Sequence, residues 1–360
     1  MFKFNKMFVM FCLGFASGLP YMIIISTSTA WLRDADVELA YIGFFAWVTF
    51  MYAFKFLWAP LVDRFSIPIL KQYGHRKSWI ALMQVIIFIN LIILSNTNPK
   101  SDLIFFSLIA FLIALAGSIQ DIAIDAFRIE YANINEQGSL AATYQFGWRL
   151  AIIVATSFAL IFADINGWSL TYKIMAATMI IGLVGLIVSK EEKNFQLGKL
   201  SFTQSIRDPF VDFLSRFGFF ASAVLLMIIA TYRLTDIVMG PMATPFYIDM
   251  GFTLTEIGAV VKIVALLASI FGISMGALLL KKIGIYKSLM LGAFLVMLTN
   301  VCFSYAAISE KSITSLSLIV AMDSIAAGIV GTVNIAFLTS LVSKKYTGFQ
   351  YALLTGFMAG

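Results

Sequence analysis

Charge is what this sequence has least of. Only 12% of its 360 residues are Asp, Glu, Lys or Arg, against about 25% in soluble globular chains. Mean hydropathy is +0.93, and 61% of the residues are hydrophobic. No soluble core hides that much apolar surface, so the chain reads as a polytopic membrane protein. Histidine occurs once, as His75, which argues against a histidine-based zinc site. Cys12 and Cys302 lie in apolar runs far apart in sequence. They read as small buried hydrophobes, not as a disulfide or a metal pair. The net charge of +6 comes from basic residues scattered over many short loops, so no nucleic-acid partner is implied. Nor is there a sizeable loop outside the apolar runs to carry catalytic acids or histidine, which argues against a membrane acyl or glycosyl transferase. No cofactor is implied.

What is present is a series of apolar runs. The first follows Lys3 and Lys6 and continues to about Ala30. It is too long for a signal-peptide core and has no clear small-residue cleavage site, so it reads as a retained helix. Runs of helix-spanning length, about 20 residues each, fall at roughly 7–32, 41–59, 79–95, 102–125, 140–163, 170–188, 217–247, 254–280, 288–307 and 313–342. An eleventh begins near Phe349. Seventeen of the 25 Lys and Arg residues lie at one set of alternate ends, including the N-terminus, and only Arg33, Lys100, Lys173 and Lys311 lie at the other. The positive-inside rule places the first set, and the N-terminus with it, in the cytoplasm.

The longest polar connection, KEEKNFQLGKLSFTQSIRDPFVDFLSRFG, divides the chain. The expected organisation is an N-terminal six-helix bundle (1–189), a cytoplasmic linker (190–216) and an incomplete C-terminal bundle (217–360). The halves echo each other: in AWLRDADVELAYIG and PFYIDMGFTLTEIG, Asp34 aligns with Asp249 and Leu39 with Leu254. LVDRF after the second span is mirrored by LLKKIG after the eighth. The fold class is therefore all-α, a major-facilitator-type six-plus-six bundle truncated after about ten helices, with substrate held between halves near the midplane.

The polar groups inside this apolar chain carry its chemistry, because a charge within the hydrocarbon region must face a cavity or a partner. In GSIQDIAIDAFRIE, Asp121, Asp125 and Arg128 share one helical face at i, i+4 and i+7, with Gln120 alongside. Asp121 lies deeper and further from Arg128, so it is the better placed to bind and release a proton. Asp125 and Arg128 sit nearer the cytoplasmic end, where a structural ion pair is the simpler reading. Lys55, flanked by Tyr52 and Trp58, either meets an anionic substrate group or partners Asp121. Arg149, Arg233, Asp236, Lys262 and Asn334 complete the intramembrane set, with Asp323 unassigned; Arg233 and Asp236, at i,i+3, could simply neutralise each other. The excess of positive groups, with Trp47, Trp58, Trp148 and Tyr144 interleaved, suits a large anionic ligand with sugar-like faces. Gly14-x-x-x-Gly18 and Gly272-x-x-x-Gly276 are expected to let helices pack closely, and Pro20, Pro241 and Pro245 to bend their spans.

WAPLVDRFSIPILKQYGHRKSW (58–79) resembles the signature loop between helices two and three of the major facilitator superfamily, an acid-Arg pair followed by a basic pair, although Pro60 and the longer spacing depart from it. That resemblance makes Asp63, Arg64, Arg76, Lys77 and Arg128 gate residues, with Asp63 pairing with Arg128 and facing the start of the eleventh helix near Gly348. Residues 14–64, QDIAIDAFRIE (120–130), DPFVDFL (208–214) and TPFYIDMGFTLTEIGAV (244–260) together resemble the AmpG-type muropeptide permeases. The resemblance implies proton-driven import of N-acetylglucosaminyl-1,6-anhydro-N-acetylmuramyl peptides across the bacterial inner membrane for cell-wall recycling. It implies a monomer, with Asp121 and Asp125 in proton coupling. Substrate contacts would come from Lys55, Trp58, Gln120, Tyr144, Arg149, Arg233, Asp236, Lys262 and Asn334. The alternatives are a truncated, non-transporting remnant, or a transporter of another large anionic solute.

Overall fold

The computed structural model describes residues 2–68, 70–131, 133, 136–189, 202–232, 234–235, 246–247, 249–252, 256, 264–308 and 311–359. Arg233, Asp236 and Lys262 lie outside the described residues, as do Pro241 and Pro245. The described chain is helical, and seven of its helical stretches are long and apolar enough to cross a membrane, rising to nine if each of two bent pairs is one span.

The first span is α1 (Phe2–Met22), a π-helical turn (Ile23–Ser28) and α2 (Thr29–Asp34). Pro20 withholds an amide from the α-helical ladder, and the π turn follows it at once. The second span is broken into α3 (Leu39–Phe45), α4 (Phe50–Ala53) and α5 (Ala59–Arg64), joined by 3₁₀ turns at Ala46–Thr49 and Lys55–Leu57. It bends by 47° at Phe54. Single helices α6 (His75–Ser95) and α7 (Leu103–Tyr131) follow. Next comes α8 (Gln137–Ile153), which passes through a second π turn (Val154–Phe158) into α9 (Ala159–Asn166). The two π turns touch, with the Thr27 hydroxyl donating to the carbonyl of Ala155. The sixth span is α10 (Trp168–Thr178) and α11 (Ile180–Val188).

Within the polar connection lies α12 (Phe202–Phe217), which meets α13 (Phe219–Tyr232) at 105°. Two further sequence spans are found in α14 (Ala265–Ala307). Its 43 residues would be about 65 Å long as one straight helix, twice a bilayer core. Gly284 breaks it, with φ 78° and ψ 175°, a conformation side-chain-bearing residues rarely adopt. Helix α15 (Ile313–Leu341) begins at an N-cap Ser312, whose side chain accepts from the Ser315 amide. The last helix is α16 (Thr347–Ala359).

Close backbone approach sets the packing. At Gly147 an added Cβ would collide with the Phe11 carbonyl and Phe15 amide of α1, and at Gly14 with the Tyr144 carbonyl of α8. Helices α1 and α8 therefore touch along their backbones. Gly272 and Gly328 bring α14 and α15 together in the same way, and Gly276 also packs on α15. One apolar core joins α1, α6, α7, α10 and the π turns; a second, around Val9, Val62, Ile122 and Phe349, lies between α1, α5, α7 and α16; a third, around Ile229, Leu289, Val333 and Tyr351, lies between α13, α14, α15 and α16. Outward-facing Ile104, Ile187, Phe219 and Met290 are exposed, as lipid-facing side chains would be.

Candidate functional site

Helix α7 carries two polar clusters at successive levels. The deeper one is built around Asp121. Lys55 stands in the 3₁₀ turn where the second span bends, and its Nζ lies 2.6 Å from Asp121 Oδ2 and 3.4 Å from Asp125 Oδ2. The bend thus aims the ammonium at α7, and Lys55 is only 6% exposed. Ser17 of α1 donates to Asp121 Oδ1 at 2.5 Å and lies 2.8 Å from the Tyr144 hydroxyl of α8. Tyr144 also reaches Asp121 Oδ1 at 3.4 Å. One turn further on, Arg128 sits 3.6 Å from Asp125, donates to the Thr339 hydroxyl of α15 at 2.9 Å, and lies 5.1 Å from the ring centre of Tyr351 on α16. Two carboxylates and two cations therefore share one buried, formally neutral group, the condition under which charges survive away from water. Trp58 donates to Ser118 of α7 at 3.0 Å. Beside this cluster Tyr21 packs edge-on against Tyr52 and tilts against Trp148.

The second cluster closes the end of α7. Arg76, wholly buried in the first turn of α6, reaches Asp63 at 2.8 Å, Glu130 at 3.0 Å, the Val62 carbonyl at 3.2 Å and the Thr347 hydroxyl at 3.0 Å. Thr347 in turn donates to Glu130. Asp63 Oδ2 accepts from the Phe349 amide at 2.8 Å, and Gly348 leaves no room for a Cβ beside that carboxylate. An acid thus sits at the N-terminus of α16, where free amides and the helix dipole favour negative charge. Lys77 donates to the Ser189 carbonyl after α11, and Arg64 lies over the ring of Phe65.

Several expectations are corrected by this geometry. Asp63 pairs with Arg76, not with Arg128: Arg76 starts α6 beside the Val62 carbonyl, while Arg128 is drawn up to Asp125 and Thr339. Asp125 and Arg128 consequently belong with Lys55 and Asp121 rather than with the gate. Of the two alternatives for Lys55, the structure shows the partner of Asp121. Gln120 does not face a cavity; it is fully buried and donates to the Ala16 carbonyl, joining α7 to α1. Asn334 is buried on α15 with Nδ2 2.7 Å from Met358 Sδ. Arg149 is half-buried on α8, and Trp47 is largely exposed beside Phe50. Ser17, Glu130, Thr339, Thr347 and Tyr351 are site residues that the sequence reading assigned no role. Glu130 alone had a local signal, as the acid that ends the QDIAIDAFRIE stretch.

A multi-span helical protein that buries compensated charge between its helices is of the class of membrane transporters. The family model of the Major Facilitator Superfamily matches residues 7–360. A transporter named AmpG 4 from Rickettsia conorii is 33% identical over 361 residues, covering 98% of this chain and 86% of that protein. The anhydromuropeptide permease of Escherichia coli is 30% identical over 353 residues, covering 98% and 71%. The solved proton:xylose symporter XylE, bound to 6-bromo-6-deoxy-D-glucose, shares the fold with a TM-score of 0.68 at 14% identity, covering 99% of this chain and 86% of that one. The chain belongs to the major facilitator superfamily and, within it, to the AmpG-type permeases. It is a multi-pass membrane transporter and not an enzyme.

Proposed function

We propose that the protein imports anhydromuropeptides across the bacterial inner membrane in symport with protons. The observation that carries the coupling is the Asp121 group: a carboxylate held between the Lys55 ammonium and the hydroxyls of Ser17 and Tyr144. Protonation of Asp121 would remove the nearer of the two charges that hold Lys55, leaving Asp125 at 3.4 Å, and the two hydroxyls would still bond the neutral acid. Lys55 then becomes available to an anionic group of the substrate. The substrate class rests on the name of the E. coli relative, and the aromatic group of Tyr21, Tyr52 and Trp148 supports it with surfaces for sugar rings. In this reading residues 1–189 and 217–360 form the two bundles, 190–216 the connection, the N-terminus is cytoplasmic and the protein is a monomer. Arg149, Arg233, Asp236 and Lys262 complete the substrate contacts.

The test is uptake of labelled GlcNAc-anhydroMurNAc-peptide into cells lacking other permeases. Uncoupler-sensitive accumulation above an empty vector is expected, and Asp121→Asn should abolish accumulation while leaving the protein in the membrane. Absence of uptake with the protein present would sink the substrate assignment. Unchanged accumulation by Asp121→Asn would reject the proton role.

A further inference from the structure

Helix α12 presents three sectors around its axis at about 100° per residue. Ser205, Pro209 and Phe213 face the protein and are buried. Ile206, Phe210, Val211 and Leu214 form an adjoining apolar sector that is exposed. Gln204 and Ser215 are exposed on the remaining, polar side. A helix supported only by protein has no use for the second sector; a helix at a membrane surface needs one side on protein, one on acyl chains and one on water. The orientation agrees. Through Gly218 (φ 77°) α12 turns by 105° into the membrane span α13, so it runs close to the plane the span crosses. The apolar sector also continues into lipid-facing residues of that span, since Phe219 and Phe220 are each 81% exposed. Exposed Arg207 stands within the apolar sector, and exposed Lys344 and Lys345 lie nearby, Lys345 within the field of Asp208 and Asp212. Long basic side chains there can extend to phosphate while their stems stay in apolar surroundings.

We infer that α12 is an interfacial helix whose Ile206, Phe210, Val211 and Leu214 insert into the anionic cytoplasmic leaflet. Its protein-facing side holds α16: Gln350 of α16 donates to the Pro209 carbonyl and Asp212 at 2.9 Å each and accepts from Arg216 at 3.1 Å, and Phe210, at the border of the two sectors, packs edge-on against Phe349 with one side and stays exposed on the other. The leaflet therefore bears on the same helix start that Asp63 and Arg76 clamp. The leaflet rests on the orientation proposed above, but the insertion does not, and its test needs no transport.

Nitroxides are placed at Ile206→Cys, Leu214→Cys and Ser215→Cys in a chain carrying Cys12→Ala and Cys302→Ala, reconstituted in phosphatidylglycerol vesicles. Accessibility to oxygen and to a water-soluble nickel chelate is then measured. Labels at 206 and 214 should be reached by oxygen more than by nickel, and the label at 215 the reverse. Nickel access at 206 and 214 equal to that at 215 would overturn the proposal. Exclusion of both reagents would overturn it too, because the sector would then be covered by protein. Replacing phosphatidylglycerol with phosphatidylcholine should raise nickel access at 214, and Arg207→Gln should raise it in phosphatidylglycerol. No change in either case would remove the anionic surface from the assignment.

Discussion

Asp63→Asn separates two contributions of one carboxylate. Its Oδ1 pairs with Arg76, which is anchored to α6, and its Oδ2 accepts from the Phe349 amide of α16. The pair with Arg76 lies between α5 and α6. Breaking a buried pair costs about 3–5 kcal/mol, and since the Asp63 side chain keeps 17% of its surface the lower end, about 3 kcal/mol, is expected in overall stability. The bond to Phe349 ties α5 to α16. A hydrogen bond to a charged group contributes about 1.5–3 kcal/mol and a neutral one about 0.5–1.5. The asparagine oxygen can still accept, so the contact between α5 and α16 should lose about 1–1.5 kcal/mol, near a tenfold change in the ratio of its joined to its parted form. Thermal unfolding in detergent reads the first quantity. The second is read by maleimide labelling of Ala352→Cys, a site 1% exposed between α16 and α5, in a chain without Cys12 and Cys302. Labelling should accelerate about tenfold. An unchanged labelling rate with a lowered melting temperature would refute the reading that Asp63 holds α16 to α5, leaving it a structural pair with Arg76.

Two more outcomes follow from the same contacts. Lys55→Met leaves Asp121 and Asp125 without their shared ammonium and should lower stability by about 3–5 kcal/mol; adding Asp121→Asn should restore part of that loss, so the two changes will not be additive in thermal melts. Gly147→Val drives side-chain atoms into the Phe11 carbonyl and Phe15 amide; a loss of at least about 1–3 kcal/mol, seen as a lower melting temperature, is expected, whereas Gly43→Ala, with nothing near its Cβ position, should leave stability within about 0.5 kcal/mol of the parent.

Among the described residues the spans were legible because bilayer burial demands long apolar runs; much of the expected spans 217–247 and 254–280 lies outside those residues. The break inside α14 was legible too, as KKIGIYK interrupts apolar sequence with charges and a glycine. The shared face of Asp121 and Asp125 follows from helical period alone. Partners across helices were not legible. Lys55 meets Asp121 only because the second span bends at Phe54 and closes a 3₁₀ turn, and no residue in that turn is a proline or glycine that announces it. Ser17 reads as an ordinary small residue in GFASG until α1 and α8 are pressed together at Gly14 and Gly147. The Asp63–Arg128 expectation failed on depth. Arg128 lies within reach of Asp125 on its own helix, and its partners Thr339 and Tyr351 come from helices whose packing no local pattern encodes. Helix α12 was hidden in the connection because Arg207 stands within its exposed apolar sector, and Asp208 and Pro209 break the apolar run in sequence.

The two clusters on α7 are linked through that helix and through α16, whose Tyr351 meets Arg128 and whose Phe349 amide meets Asp63, and that linkage carries the strongest consequence of the fold. Lys55 bridges Asp121 to Asp125, Asp125 faces Arg128, and Arg128 holds Thr339 of α15. Asp121 and Glu130 are about 13 Å apart along one helix at 1.5 Å per residue, so both clusters move with α7. If Asp121 becomes neutral, Lys55 keeps only Asp125, and Asp125 must then divide between Lys55 at 3.4 Å and Arg128 at 3.6 Å. The bond from Arg128 to Thr339 is where that redistribution reaches α15. Asp121→Asn and Thr339→Val should therefore be coupled in the labelling rate of Ala352→Cys, by about 0.5–3 kcal/mol as for residues in one network. Additive effects would mean that Asp121 acts on substrate alone, and that the contact of Asp63 with α16 is set by the bundles meeting rather than by the ions between them.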